Sequence, residues 1–187
     1  MPRQRMTPFA LAFLLAVPAG SLAVSSLQAA PAPVVRVAQA ASFAGTYTLN
    51  ARASDNVQSA INEAASHVMF LIRGIARSRM RATNPVYQRV TIGETASEFS
   101  IAFDQRAPVR TPSNGARTPW TREDGEKFQV MTAVEGGRLH QTFIADDGRR
   151  VNVFSLSPDG KTLTMETTVS SPKLPQPLHY RLVFDRV

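Results

Sequence analysis

The amino-acid sequence predicts a mainly β fold, an antiparallel up-and-down meander barrel of about ten strands with one helical insertion between strands 1 and 2. Three observations carry this. Asn114-Gly115, Asp124-Gly125, Gly136-Gly137, Asp147-Gly148 and Asp159-Gly160 are tight-turn signals whose second residues lie 10, 12, 11 and 12 apart. Each interval holds one strand and a turn and is too short for a helical crossover, so consecutive strands must pair antiparallel. Between the turns apolar residues alternate with polar ones, and a 3.6-residue apolar period is confined to residues 55–82.

Taken in order, strands are expected near 44–50, 87–93, 97–103, 107–112, 116–122, 126–134, 138–145, 149–156, 161–169 and 177–186. Phe99, Ile101 and Phe103 share a face, as do Phe128, Val130, Thr132 and Val134, then Leu163, Met165, Thr167 and Val169, then Tyr180, Leu182 and Phe184. Strands with one apolar face close into a barrel because closure removes exposed edges; a two-sheet sandwich is the alternative. Arg110-Thr111-Pro112 recurs as Arg117-Thr118-Pro119, and prolines that cannot donate to a ladder mark this hairpin as a weakly bonded edge or flap, with Trp120 beside it.

The insertion reads as one helix over 55–82. Asp55 and Gln58 have capping-box spacing, Val57, Ile61, Ala64, Val68, Ile72 and Ile75 form an apolar stripe, and Asn84-Pro85 stops the element. Such a helix would run about 40 Å, longer than the barrel, so a break, with Gly74 the candidate, or an overhang is expected. Met69-Phe70-Leu71-Ile72 makes the helix apolar on more than one side, so it is either clamped between the barrel and another layer, the expectation adopted, or exposed and in need of a partner. Arg73, Arg77 and Arg81 fall on one face, and no acidic residue lies between Glu63 and Glu94. That face is either solvated or a contact for an anionic membrane or head group.

At the N-terminus, Arg3 and Arg5 precede the apolar run Phe9 to Val17, with small residues after Pro18 and Gly20. This predicts a signal peptide over 1–23, with cleavage as late as residue 40, and an exported, periplasmic or secreted protein. The run is shorter than the roughly 20 residues a membrane span needs. Residues 24–42 read as a flexible Ala/Pro-rich lead-in and 43–187 as a single domain. The chain of 187 residues has 21 Lys+Arg against 14 Asp+Glu, a net +7. Arg3, Arg5 and Arg36 lie ahead of the domain, which leaves +4 mixed with acidic turns and no nucleic-acid footprint. The absence of cysteine excludes disulfides, thiolate metal sites and a cysteine nucleophile. His67, His140 and His179 lack metal-ligand spacing, no nucleophile or phosphate-loop motif occurs, and Asp before Gly is explained by turn chemistry, so neither enzyme, metal nor cofactor is expected.

Phe43-Ala44-Gly45-Thr46-Tyr47-Thr48-Leu49 resembles the G-x-W start of the calycins, the group of lipocalins and fatty-acid-binding proteins, with Tyr47 in place of Trp. The first strand, helical insertion and unbroken run of hairpins over 43–187 resemble the fatty-acid-binding branch. The F-x-G-T-aromatic start and the Ser157–Leu163 turn are also similar to bacterial exported proteins, a likeness that implies no function. The calycin resemblance implies a barrel that binds a small hydrophobic molecule or lipid, and a start-motif aromatic, Tyr47, packed near Arg181 or Arg186. It also implies an R-x-Y carboxylate clamp on the last strand, but Leu182 and Phe184 stand there, so an anionic head group must be met elsewhere. By alternation the ligand lining is Tyr47, Phe99, Phe128, Phe143, Leu182 and Phe184. The alternative function is an envelope interaction module with a filled barrel, working through Arg73, Arg77 and Arg81.

Overall fold

The computed structural model describes residues 42–187, so the expected signal peptide, its cleavage sites and nearly all of the lead-in lie outside the described residues. The elements are β1 (Gly45–Leu49), α1 (Val57–Ser66), α2 (Arg73–Thr83), β2 (Arg89–Glu94), β3 (Glu98–Phe103), β4 (Val109–Pro112), β5 (Thr118–Thr121), β6 (Lys127–Glu135), β7 (Arg138–Ala145), β8 (Gly148–Leu156), β9 (Thr162–Ser170) and β10 (Leu178–Arg186). Every strand lies within two residues of its expected bounds, because turn chemistry and alternation act locally.

All ten strands form one antiparallel sheet in the order β4-β3-β2-β1-β10-β9-β8-β7-β6-β5, a nearly closed barrel rather than a sandwich. The first strand pairs with the last, Tyr47 opposite Arg186 and Leu49 opposite Phe184. The remaining seam is between β4 and β5, the two four-residue strands that carry Pro112 and Pro119. The hairpin beside it is held at its turn by Arg122, whose guanidinium donates to both Asp124 and Glu126 and holds the Asp124 carboxyl at about 2.

The β1–β10 junction is fastened by side chains. The Arg186 guanidinium lies over the Tyr47 ring at 5.0 Å and donates to the Tyr47 hydroxyl at 2.6 Å. That hydroxyl donates in turn to the Phe43 carbonyl at 2.8 Å, and Arg186 also reaches the Ala44 and Ser42 carbonyls. Of the two partners the resemblance implied, Arg186 is the one used; Arg181 pairs with Asp55. Gly45 is required here because a Cβ would stand 3.3 Å from the Tyr47 hydroxyl and 3.4 Å from the Arg186 guanidinium carbon, and its φ is +154°.

The helical insertion differs from expectation. It is two helices, broken at His67–Ile72 and not at Gly74, which sits inside α2 with open space around it. The cap is Asn56, whose side chain accepts from the Ser59 N–H, while Asp55 instead accepts from the Arg181 N–H. The apolar stripe of Val57, Ile61, Ala64 and Val68 is buried, with α1 against β10, but it ends there. Ile72 and Ile75 are exposed, and so are Met69, Phe70 and Leu71, so the four-residue run is not core. The reason is the reversal: a straight helix would overshoot the barrel by its length, and the turn instead returns α2 to it. Arg73 donates through Nε and Nη2 to the Val68 carbonyl freed by the break.

Burial pushes the Tyr47 phenol above its usual value of 10.0, against the pull of Arg186 in the other direction. Because the folded pKa is the higher one, its contribution is fully present below the unfolded value and is lost as pH rises past it. Tyr47→Phe is expected to cost about 2 kcal/mol in urea unfolding at neutral pH and to flatten the loss of stability above pH 10; an unchanged midpoint would remove the clasp from the fold's supports.

Candidate functional site

The register of the sheet stacks inward-facing side chains into rungs. One rung is apolar: Leu139, Phe154, Met165 and Leu182 are successive buried partners across β7 to β10, with the exposed Val134 at its β6 end. Two residues along each strand comes a polar rung, Thr132, Gln141, Asn152, Thr167 and Tyr180, again all in register. The next is Val130, Phe143, Arg150, Val169 and Leu178. A band of hydrogen-bonding groups therefore crosses five adjacent strands inside an otherwise apolar barrel.

These groups form a directed network. Arg150 donates from Nε to Asn152 Oδ1 at 3.0 Å, from Nη2 to the Tyr180 hydroxyl at 2.9 Å, and from Nη1 to Asn84 Oδ1 and the Thr83 carbonyl at 3.3 Å each. Thr167 also donates to Asn152 Oδ1, and Asn152 Nδ2 donates to Gln141 Oε1 at 3.2 Å. Asn84, directly after α2, donates back to the Met80 carbonyl, so the network fastens the end of that helix to the barrel. Among the described residues no carboxylate pairs with Arg150, and its charge is met only by neutral acceptors. The Gln141 Nε2, Thr132 Oγ1 and Thr111 Oγ1 atoms are buried without a partner. Each such group costs about 1–3 kcal/mol of lost hydration.

All six residues chosen for the lining point inward, but they fall into two clusters. Tyr47, Phe99, Leu182 and Phe184 belong to the main core, which also takes in Phe154, Leu163 and Met165. Tyr47, Leu182 and Phe184 are each 0% exposed, so no water-sized sphere reaches them from outside or from a void within, and this part of the interior is solid. Phe128 and Phe143 instead join Val109, Val130 and Trp120 beside the β4–β5 seam, with ring centroids 5.6 to 6.0 Å apart. Of two hollows of about 530 and 190 Å³, one lies against the β9–β10 loop and Arg149, and the other lies against β5 and β6, where Trp120 and Phe128 of the second cluster line it.

The arginine face of α2 is partly open and partly covered. Arg73 is half-buried on the Val68 carbonyl, and Arg77 is half-buried with a sequestered, unpartnered Nε. Arg81 is exposed and reaches Asn62. The exposed feature of the insertion is apolar, with Phe70 at 74% and Leu71 at 72%. His67 contacts Glu63, and His179 contacts Thr168. Arg150 and the polar rung escaped the sequence reading, although Gln141 between Leu139 and Phe143, and Asn152 beside Phe154, were signals in the alternation.

Asn152→Leu strands three partners at once and is expected to lower stability by about 3 kcal/mol. Gln141→Met removes an amide nitrogen that has no partner and is expected to stay within about 1 kcal/mol of the parent. Equal losses in thermal unfolding would mean that the Gln141 amide is satisfied after all.

No family model matches the chain, and no curated protein matches it in sequence. Solved structures do resemble it. Human cRBP IV aligns over 79% of this chain and 99% of its own, at 17% identity and a TM-score of 0.50. The REP1-NXSQ fatty acid transporter aligns over 77% and 95%, at 16% identity and a TM-score of 0.51. With ten meandering strands, helices between the first and second, and closure of first on last, the fold is that of the calycin-like barrels.

Proposed function

We propose that this chain is a non-enzymatic, exported carrier of a small amphipathic molecule. The observation that carries the reading is the polar rung with an acid-free Arg150, set in a fold also seen in the REP1-NXSQ fatty acid transporter. A barrel that served only as a structural plug would gain stability from apolar residues at those positions, since buried polar groups left without partners are a net cost. Apolar contact would supply the affinity, at roughly 25 cal/mol per Å² of ligand surface buried, and the rung would supply orientation. Because the core around Tyr47, Leu182 and Phe184 is solid, the ligand belongs beside the β4–β5 seam, where Trp120 and Phe128 line a hollow of about 190 Å³, and not in the centre of the main core. Native mass spectrometry of the purified protein, followed by solvent extraction, is expected to release an amphipathic molecule in stoichiometric amount. Absence of a co-purifying mass, together with no shift against a panel of fatty acids, sterols and phospholipids, would sink the carrier reading.

A second reading, compatible with the first, concerns the turn between the helices. Met69, Phe70, Leu71 and Ile72 are contiguous and exposed, Ile75 is exposed three residues on, and Arg73, Arg77, Arg79 and Arg81 lie in the same segment, with no acid between Glu63 and Glu94. Apolar side chains at a tip beside arginines suit insertion into the interface of an anionic bilayer. Among the described residues no helix is long and apolar enough to cross a membrane, so the contact is peripheral. Phe70→Ser with Leu71→Ser is expected to weaken sedimentation with phosphatidylglycerol vesicles at least tenfold while leaving thermal stability unchanged. Binding that is equal for the double variant and the parent would exclude the tip as the contact.

A further inference from the structure

We propose that Asn114 is a self-modifying site: its side-chain amide is attacked by the backbone nitrogen of Gly115, sheds ammonia and leaves an aspartyl or isoaspartyl residue in the strap of chain that crosses the β4–β5 seam. Residues 113–117 are that strap, since they join two strands that share no ladder. Such a site stands whether or not the barrel carries a ligand.

An asparagine reacts in this way when the next residue is unhindered, when that residue's N–H is unbonded, and when the side chain is bent toward it. Of the six asparagines, Asn50, Asn56, Asn62 and Asn152 precede Ala51, Val57, Glu63 and Val153, whose side chains crowd the nitrogen, and Asn84 precedes Pro85, which has no N–H. Asn114 alone precedes a glycine. Among the described residues the Gly115 N–H has no acceptor. Asn114 is exposed, and the Ala116 N–H donates to its Oδ1 at 3.0 Å. That bond curls the side chain back over the peptide that joins Asn114 to Gly115.

The three Asp-Gly turns share the following glycine but neither of the other conditions. The Gly125 N–H donates to the Arg122 carbonyl and the Gly160 N–H to the Ser157 carbonyl, both at 2.8 Å, and Gly148 is fixed in the ladder opposite Ala145. Occupying the attacking N–H with one hydrogen bond slows closure about tenfold. Their carboxylates are engaged as well, Asp124 by Arg122, Asp147 by Lys173 and Asp159 by the Ser157 hydroxyl. Those donors hold each carboxyl below its ordinary range, and an ionised carboxylate is a poor electrophile.

The reaction balances with water alone. Hydroxide takes the Gly115 N–H proton, the nitrogen pair forms a bond to Asn114 Cγ, and the carbonyl pair moves onto Oδ1, where the Ala116 N–H meets the charge. The pair returns, the Cγ–Nδ2 bond breaks, and Nδ2 takes a proton from water and leaves as ammonia. The five-membered imide then adds one water. Breaking its bond from Gly115 N to Cγ gives aspartate; breaking the bond to the Asn114 backbone carbonyl carbon routes the chain through Cβ and Cγ as isoaspartate. The strap gains a negative charge between Arg110 and Arg117 and, as isoaspartate, one more backbone carbon.

The test incubates the folded full chain in warm, mildly alkaline buffer made with heavy-oxygen water and maps the label by peptide mass, with isoaspartyl methyltransferase reporting isoaspartate. Label is expected at Asn114 at a rate within about threefold of that in the free Pro112–Thr118 peptide, with isoaspartate in the same fragment. The three Asp-Gly turns are expected to take up label at least about tenfold more slowly than their own free peptides. Asn114→Ser, which keeps an oxygen for the Ala116 N–H but has no amide, is expected to abolish the label in that fragment. A fold that slows Asn114 relative to its peptide as strongly as it slows the aspartates would overturn the proposal, and so would label that appears first at another asparagine or persists in Asn114→Ser. Should that variant not fold, the peptide map of the parent decides alone.

Discussion

The structure depends on closing the first strand onto the last. A ten-strand meander has two free edges, each a row of unpaired N–H and C=O groups that invites aggregation. Here β1 is inserted between β2 and β10, and the junction is fastened by Arg186 stacked on and bonded to Tyr47. The clasp buries a phenol, satisfies it with a carbonyl on one side and a guanidinium on the other, and demands a glycine at position 45 for the close approach. Closing the sheet there fixes where it stays open. The free edges become β4 and β5, the shortest strands, where Pro112 and Pro119 lack the N–H that a central strand would require.

Inside the barrel two demands are in tension. Apolar packing fills the region around Tyr47, Phe154, Leu163 and Phe184 and supplies the stability of a domain without disulfides. Against it runs one rung of neutral polar side chains, partly satisfied through Asn152 and Arg150 and partly left with buried donors unmet. A half-satisfied network is worse for stability than an apolar core, which is why its presence argues for a working site.

The helical insertion carries a related compromise. α1 pays its way by burying Val57, Ile61, Ala64 and Val68, whereas α2 buries only Met80 and is held largely by polar contacts from Asn84 and Thr83 to Arg150 and Tyr180. Its packing is thinner than that of α1, and the turn that joins them leaves four large apolar side chains, Met69 to Ile72, in water.

The sequence by itself determined the strands, the hairpin order and which face of each strand turns inward. Asx-Gly turns and period-two alternation are local, so Phe99, Phe143, Leu182 and Phe184 were all legible as inward residues. The start motif likewise pointed to Tyr47 and a basic partner near the C-terminus. The helix was legible in type but not in length, because the break at His67–Ile72 answers to the size of the barrel, which no window of sequence contains. For the same reason Met69–Ile72, expected in the core, proved exposed. Only the tertiary structure could align Thr132, Gln141, Asn152, Thr167 and Tyr180 into one rung and set Arg150 beside it. Those residues come from five strands, each polar position unremarkable alone, and their meaning arises from register, which closure of the whole sheet decides.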